Sequence, residues 1–507
     1  MGAGKSTAAR ALGPDSVDVD HEIERRDGRR VAEIFNAEGE QAFRRLEETT
    51  TLELLGRPDV HVLALGGGAL GSAAIRQALE PHTVIWLDID PDLAWRRVHG
   101  GSTTTKRPLA ADQNRFFSLH AQRQAEYEAA ADVVVPATRA RDIPRVVQSL
   151  AGLPEPGAGP GQVKTLWAAG SSGDYPVHIG RGLLTQTEYW PAQLEGRRVV
   201  VADYNSARHY SDHLAPFLAD IRIMPGEQSK TIAHAEIVWT EMARNGVTRA
   251  DVVAALGGGV VGDLAGFCAA TYQRGIAVVQ IPTTLVAQVD SAYGGKTGVD
   301  LAEAKNYVGA YHPPAAVIVD PTTLRTLPPE ELAAGYAEVV KTALIAGGTL
   351  WDQVAAGAPP ADAEVITNCA LTKLRVVAQD ERDGGPRQLL NLGHTIGHAL
   401  ETVTGYARFR HGEAVGLGLL AALRLSGADA LRDQVAELLD LAGLPTHAGA
   451  DLDPEQVIFA TARDKKRVGE GPTPFVLCPE PGAAAYGQTV SPADLRRAVN
   501  ELISVPR

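Results

Sequence analysis

The sequence predicts an α/β chain in three successive parts: a parallel-sheet front, a second α/β part, and an all-α end. Three observations carry this. Short apolar runs alternate with helical stretches up to about residue 150 and again from 163 to about 325; a Pro/Gly tract separates the two stretches; and after Pro328 only helical periodicity remains. At 507 residues the chain is also too long for a single hydrophobic core.

Val60–Leu65 and Thr83–Leu87 are apolar runs of strand length, each followed by a helical stretch, which is the βαβ signature of a parallel sheet. Residues 152–162, Gly-Leu-Pro-Glu-Pro-Gly-Ala-Gly-Pro-Gly-Gln, can sustain neither helix nor ladder and read as a linker. Arg198–Ala202, Val252–Leu256, Ala277–Ile281 and Ala316–Val319 repeat the strand pattern. Glu330–Ile345, Ala361–Asp380, His394–Val403, Glu413–Ser426 and Arg432–Ala442 then read as helices. The expected division is 1–151, linker 152–162, 163–327 and 328–507.

Apolar residues at 45% and charged residues at 21% are ordinary for a soluble globular protein. A net charge of -13 without a long basic run speaks against nucleic acid or a membrane surface as partner. It leaves local Arg and Lys free to bind small anions. The three cysteines, Cys268, Cys369 and Cys478, are too scattered for a disulfide framework or a CxxC metal site. With no secretory or membrane-spanning pattern, a cytoplasmic protein is expected.

The chain opens Met1-Gly2-Ala3-Gly4-Lys5-Ser6-Thr7, the back of a GxxxxGK[ST] phosphate loop. In such a loop Gly2, Gly4 and Thr7 line the nucleotide, Lys5 reaches the outer phosphates and the Ser6 hydroxyl ligates Mg. The pattern's leading Gly and preceding strand are not in the sequence. The expectation is therefore either a weakened kinase or a start codon set too far downstream. Asp18-Val19-Asp20, Phe43-Arg44-Arg45, Leu65-Gly66-Gly67-Gly68, Arg107-Pro108-Leu109, Arg123 and Tyr127 follow in order. In that order the front part resembles the shikimate kinases. The resemblance implies a P-loop kinase fold and ATP with Mg. It makes Asp20 the group that deprotonates the shikimate hydroxyl and has Arg44, Gly67 and Arg123 bind shikimate, with Arg107 as a lid over the ATP phosphates. Positioning and positive charge are what phosphoryl transfer needs.

In the second part Leu256-Gly257-Gly258-Gly259-Val260-Val261-Gly262-Asp263 follows a strand and opens a helix, a turn suited to a pyrophosphate. Asp203 and Asn205 follow the first strand, Glu227 and Lys230 lie in Pro-Gly-Glu-Gln-Ser-Lys, and Thr283 and Thr284 end another strand. Asp290, Lys296, Lys305 and Asn306 crowd a Gly-rich stretch. Glu338, His394 and His411 form a Zn-type ligand set. His398 lies one helical turn from His394, and by spacing either His is a ligand.

The strings GGGVVGDLAGF, PTTLVAQVDSAYGGKT, AEVVK, NLGHTIGHALE and HGEAV resemble the 3-dehydroquinate synthases from about residue 163 to 507. The resemblance implies a Rossmann-like NAD-binding part followed by an all-α metal-binding part. It assigns a divalent metal, Zn or Co, to Glu338, His394 and His411. NAD falls to Asp203, Asn205, Glu227, Lys230, Gly258, Gly259, Val260, Asp263, Thr283, Thr284, Lys305 and Thr323. Catalysis falls to Asp290, Lys296, Lys341 and His398. Substrate contacts fall to Arg274, Asn306, Lys373, Arg387, Asn391 and one of Lys465 and Lys466. A homodimer through this part is expected. The implied reaction turns 3-deoxy-arabino-heptulosonate 7-phosphate into 3-dehydroquinate and phosphate, with NAD regenerated each turn.

Three other readings compete. A metal-dependent polyol dehydrogenase would release NADH, and the cluster of lysines speaks against it. A sibling sugar-phosphate cyclase would act on another sugar phosphate. The front part would otherwise be an inactive or assembly domain beside a lone synthase.

Overall fold

Parallel pairing organises both halves of the chain, for which a computed structural model describes residues 2–100, 112–151, 153, 163–301, 304–462 and 473–503. Two units form: Met1–Ala169 with Pro176–Gly180 and Glu188–Ala192, and the remainder up to Arg507.

In the first unit the helix Lys5–Leu12 begins at Gly4, whose φ of 92° only glycine adopts without strain. Val17–Asp18 pairs in parallel with Leu63–Ala64. Ile85–Asp88 pairs in parallel with Val133–Pro136, which pairs in turn with Lys164–Ala168. With partners on both sides, Val133, Val134 and Val135 are all buried, as strands of a covered parallel sheet are. Val133 and Val135 pack with Leu87, Ala94, Phe116 and Ile143 into a core. A second cluster gathers Val19, Ile23, Ile34, Phe43 and Leu54 under the helix Glu40–Leu55.

The second unit is built on five parallel strands. Ala277–Pro282 lies between Ala316–Val319 and Val252–Gly257; beyond the latter come Arg198–Asp203 and Ala219–Ile223. In chain order the sheet reads 2-1-3-4-5, a doubly wound topology. Helices Ile232–Arg244 and Gly259–Thr271 cover it through Val238, Met242, Leu264 and Cys268. Every strand expected from the sequence of this part is present, most one residue longer than its apolar run.

The helices expected after Pro328 are present as Pro329–Ala346, Ala363–Gln379, His394–Val403, His411–Leu425 and Asp429–Leu441. The helices Gly348–Ala355, Pro454–Thr461 and Pro492–Ile503 add to them. So does an antiparallel hairpin, Phe475–Leu477 with Ala485–Gln488, in the stretch expected to be wholly helical. Strands of three and four residues offer too little alternation to read. Two of these helices cross at close range. A Cβ on Gly418 would lie 1.9 Å from the Gly393 carbonyl oxygen, so only glycine lets His411–Leu425 approach His394–Val403. No described helix is long and apolar enough to cross a membrane.

Candidate functional site

In a doubly wound sheet ligands settle at the carboxyl ends of the strands where the order reverses. Here that point lies between Arg198–Asp203 and Val252–Gly257. Asp203 ends the first strand and caps the helix Tyr204–Tyr210, accepting from the Asn205 and Ser206 N–H groups at 2.8 and 3.0 Å. Gly257 ends the second. A Cβ there would lie 2.5 Å from Val261 Cγ2, and one on Gly258 would lie 2.8 Å from Thr284 Cγ2. The helix Gly259–Thr271 starts at Gly258 with no side-chain cap, so its first N–H groups face outward. This is a cradle for a pyrophosphate at a helix N-terminus. Lys230 is buried beside it, its Nζ 2.5 Å from Asp263 Oδ2 and 4.0 Å from Glu227. Burial opposes its charge, but Asp263 and Glu227 outweigh that and hold the Lys230 pKa above its ordinary value.

Three helices bring the metal candidates together. Glu338, His394 and His411 offer ligand atoms within 4.8 Å of one another. Glu338 Oε1 lies 3.6 Å from His394 Nε2 and 3.5 Å from His411 Nε2. His394 Nδ1 faces the Leu392 carbonyl oxygen at 3.1 Å, which selects the tautomer with its Nε2 lone pair toward Glu338. An N,N,O set is the chemistry of a zinc- or cobalt-type ion with open positions for substrate oxygens.

Beside the trio runs a buried cation network. Lys341 Nζ lies 2.5 Å from Glu338 Oε2 and 3.0 Å from Asp290 Oδ2. Lys373 pairs with the same carboxylate and donates to the Asp290 carbonyl at 2.6 Å. Burial disfavours an ionised Asp290, yet Lys341 and Lys373 prevail and hold it well below the usual carboxylate range. Burial pushes Lys373 down despite Asp290. Asp290 itself sits in a π-turn, Ala287–Ser291, a local irregularity common at functional sites. Lys296 Nζ pairs with Asp383 at 2.6 Å. Arg387 donates to the Gly294 carbonyl at 3.4 Å, and Gly294, at φ 84°, leaves the room that a Cβ would take from this guanidinium.

The nucleotide cradle, the metal trio, Asp290, Lys296, Lys305, Asn306, Lys373, Arg387, Asn391 and His398 line one cleft of 2270 Å³. Lys341 stands just behind Glu338 and Asp290. Arg274 does not line the cleft; it sits exposed in the turn after Gly259–Thr271, at φ 70°. Thr323 does not line it either, because its hydroxyl is engaged by Gln288 and the Asp320 carbonyl. Lys465 and Lys466 lie outside the described residues, as does Arg107.

Sequence reading missed two acids here. Asp383 lies four residues before Arg387, and Glu401 lies three after His398, one turn along the same face. That spacing was the available signal, but an acid on a helix, like Glu401, or in a turn, like Asp383, usually reads as solvated. Glu401 Oε2 meets His411 Nδ1 at 3.4 Å.

In the first unit Ser6 Oγ donates to Asp18 Oδ2 at 2.5 Å, so Asp18 joins the loop serine. A Cβ on Gly67 would have Arg123, Tyr127 and Lys5 side chains within 4.0 Å, and one on Gly66 would lie 3.3 Å from Asp20. Tyr127 Oη donates to the Gly67 carbonyl at 2.6 Å. Arg44 pairs at 2.6 Å with Glu47, whose carboxyl burial pushes upward. Lys5, Asp20, Arg44, Gly67 and Arg123 thus converge around one glycine turn.

Known proteins resemble both parts of the chain. Residues 220–334 match the family model described as 3-dehydroquinate synthase N-terminal, 335–467 that of 3-dehydroquinate synthase C-terminal, and 1–151 that of shikimate kinase. The 3-dehydroquinate synthase of Symbiobacterium thermophilum is 39% identical over 354 residues, covering 65% of this chain and 98% of the relative. That of Halorhodospira halophila is 42% identical over 304 residues, covering 57% and 86%. A 2-deoxy-scyllo-inosose synthase solved with carbaglucose-6-phosphate, NAD+ and Co2+ superposes with a TM-score of 0.59 at 25% identity, over 67% of this chain and 100% of that one. The 2-epi-5-epi-valiolone synthase of Streptomyces hygroscopicus, with NAD+ and Zn2+, also gives 0.59, at 27% identity over 66% and 98%.

Proposed function

The chain belongs to the 3-dehydroquinate synthase family and carries a shikimate kinase domain ahead of the synthase, and on that premise we propose that it catalyses two reactions. The synthase part converts 3-deoxy-arabino-heptulosonate 7-phosphate into 3-dehydroquinate and phosphate. The front part transfers a phosphoryl group from ATP to shikimate. The observation that carries the first is the convergence of nucleotide cradle, metal trio and buried cations on a single cleft.

The glycine cradle with Asp203 and Lys230 would hold NAD, and Glu338, His394 and His411 a divalent Zn or Co ion. When bound, NAD takes up and returns a hydride, and the metal acidifies the hydroxyl to be oxidised. The rest falls to side chains of this chain. Lys373, Arg387 and Asn391 suit the substrate carboxylate, a planar anion that Arg meets with two N–H groups. Lys296 and Asn306 suit the departing phosphate. Asp290, kept ionised by Lys341 and Lys373, holds those two side chains in place where negative charge would develop. His398, one turn from His394 and on the cleft wall, is placed to pass a proton.

In the front part Lys5 and the helix N-terminus would take the ATP phosphates, and Ser6 with Asp18 a Mg ion, which prefers hard oxygen ligands. Asp20 would take the shikimate hydroxyl proton while Arg44, Gly67 and Arg123 hold the substrate. We read the assembly as a homodimer through the synthase part, and its location as the cytoplasm.

A sibling cyclase is the second reading, favoured by the two superposed structures, a 2-deoxy-scyllo-inosose synthase and a 2-epi-5-epi-valiolone synthase. The substrate carboxylate separates the two. Turnover of the heptulosonate phosphate, with none of a sugar phosphate that lacks the carboxylate, is expected. The reverse preference would sink the proposal.

A further inference from the structure

Glu401 stands between the two cofactor sites. It lies on the helix His394–Val403, is 3% exposed, and divides its carboxylate between two partners. Oε2 is 3.4 Å from His411 Nδ1, and Oε1 is 3.5 Å from Lys305 Nζ. The other nitrogen of the same imidazole, Nε2, is 3.5 Å from Glu338 Oε1. Lys305 belongs to the hairpin Lys296–Leu301 with Ala304–Tyr311, and its ammonium also lies 4.5 Å over the ring of Tyr406. The Tyr406 N–H donates to the Glu401 carbonyl at 2.8 Å, so one helix end holds both contacts.

From this juxtaposition we propose that Glu401 is a positioning residue that ties the metal ligand His411 to the nucleotide-side Lys305. The inference rests on the metal and NAD assignments made above. An imidazole between two carboxylates presents one nitrogen to each. Glu401 accepts the Nδ1–H, which fixes the tautomer, aims the Nε2 lone pair at the ion beside Glu338, and raises its basicity. The same carboxylate anchors the hairpin lysine against the helical part. A buried carboxylate needs such partners, and these two satisfy one oxygen each. Loading the metal fixes His411, thereby Glu401, thereby Lys305, so metal and NAD should each tighten the other's binding, as linkage requires.

The rival use of the same atoms is a second ion, since His398, Glu401 and His411 also offer ligand atoms within 4.8 Å. The two uses share one ring and are told apart by stoichiometry.

The test uses the full chain. Zinc affinity is measured by competition with a chromophoric chelator, and NAD affinity by calorimetry on zinc-loaded protein. The variants are Glu401→Gln, Lys305→Met, the double variant and His411→Ala. Glu401→Gln is expected to bind zinc about 10- to 100-fold more weakly, the usual effect of losing an outer carboxylate. It should bind NAD roughly fivefold more weakly, the scale of one partly screened ion pair. In the Lys305→Met background the same change should cost NAD affinity nothing further, which general loosening of the fold would not reproduce. Glu401→Asp, keeping the charge, should fall between wild type and Glu401→Gln, and it carries the comparison if Glu401→Gln does not fold. Wild-type zinc affinity in Glu401→Gln while His411→Ala loses zinc would overturn this inference alone. An equal NAD loss in both backgrounds, or two zinc ions per wild-type chain, would also overturn it. Full zinc in His411→Ala would remove the ligand assignment on which it rests.

Discussion

At the scale of residues, the cleft is a contest between burial and pairing. Two lysines and a glutamate are withdrawn from water within a few ångströms of the half-buried Asp290, and none of the three could stay charged there alone. The metal candidates sit at the edge of this network, and one experiment sorts them. His394→Ala and His411→Ala are each expected to come off purification without metal and without synthase activity, while His398→Ala keeps its metal and loses turnover. Metal analysis of the three variants checks this. Full metal in His394→Ala, or its loss in His398→Ala, would mean the ligand set is misassigned. Spacing alone left His394 and His398 equivalent, and the sequence string separated them only through its resemblance. Glu401 and Asp383 were not legible, because their function depends on partners contributed by distant segments: Lys305 and His411 for one, Lys296 for the other.

At the scale of elements, the strands that position the nucleotide cradle are pinned at their starts. Asp251 accepts from the Arg197 guanidinium and N–H and from Thr248, at 2.7 to 3.1 Å, just where Arg198–Asp203 and Val252–Gly257 begin. Hydrogen bonding by Arg197, against a smaller effect of burial, pulls its carboxyl from 3.8 down to about 2. In the unfolded chain the group titrates near 3.9. The folded state therefore binds fewer protons between these values, and the contribution is fully present above about pH 4 and disappears as pH falls through about 2. It amounts to no more than about 2 kcal/mol, since Arg197 is half exposed and solvent screens the pair. Denaturant unfolding of the second unit should thus lose stability between pH 4 and 2 in the wild type and show a shallower loss in Asp251→Asn. Identical slopes would contradict the pairing. Four strands of this sheet were legible because they are continuous apolar runs, while Ala219–Ile223 was not, because Asp220 and Arg222 interrupt it. The three-valine run of Val133–Pro136 is buried too but stops at a proline, and the short hairpin strands alternate too briefly to be told from turns.

At the scale of the whole molecule, two sets of chemical groups are carried by two separate units. Lys5→Met removes the only charged group of the phosphate loop's Gly-Lys-Ser string, and it is expected to abolish shikimate phosphorylation while leaving dehydroquinate formation at the wild-type rate. Parallel assays of the one purified variant check this, and a matching loss in both would mean the two chemistries are coupled. The order of motifs made both units legible. The composition of the cleft was legible as strings, but its closure around one volume came only from the sheet order and the close crossing of His394–Val403 with His411–Leu425. The central claim is that the cleft performs a redox-neutral cyclisation with loss of phosphate. The direct measurement is to incubate the purified chain with metal, 3-deoxy-arabino-heptulosonate 7-phosphate and NAD at a small fraction of the substrate concentration, and to follow phosphate, 3-dehydroquinate and absorbance of NADH together. Phosphate and 3-dehydroquinate should rise in equal amounts far beyond the NAD added, with no net NADH. NADH accumulating in step with substrate consumed, without phosphate release, would contradict the account.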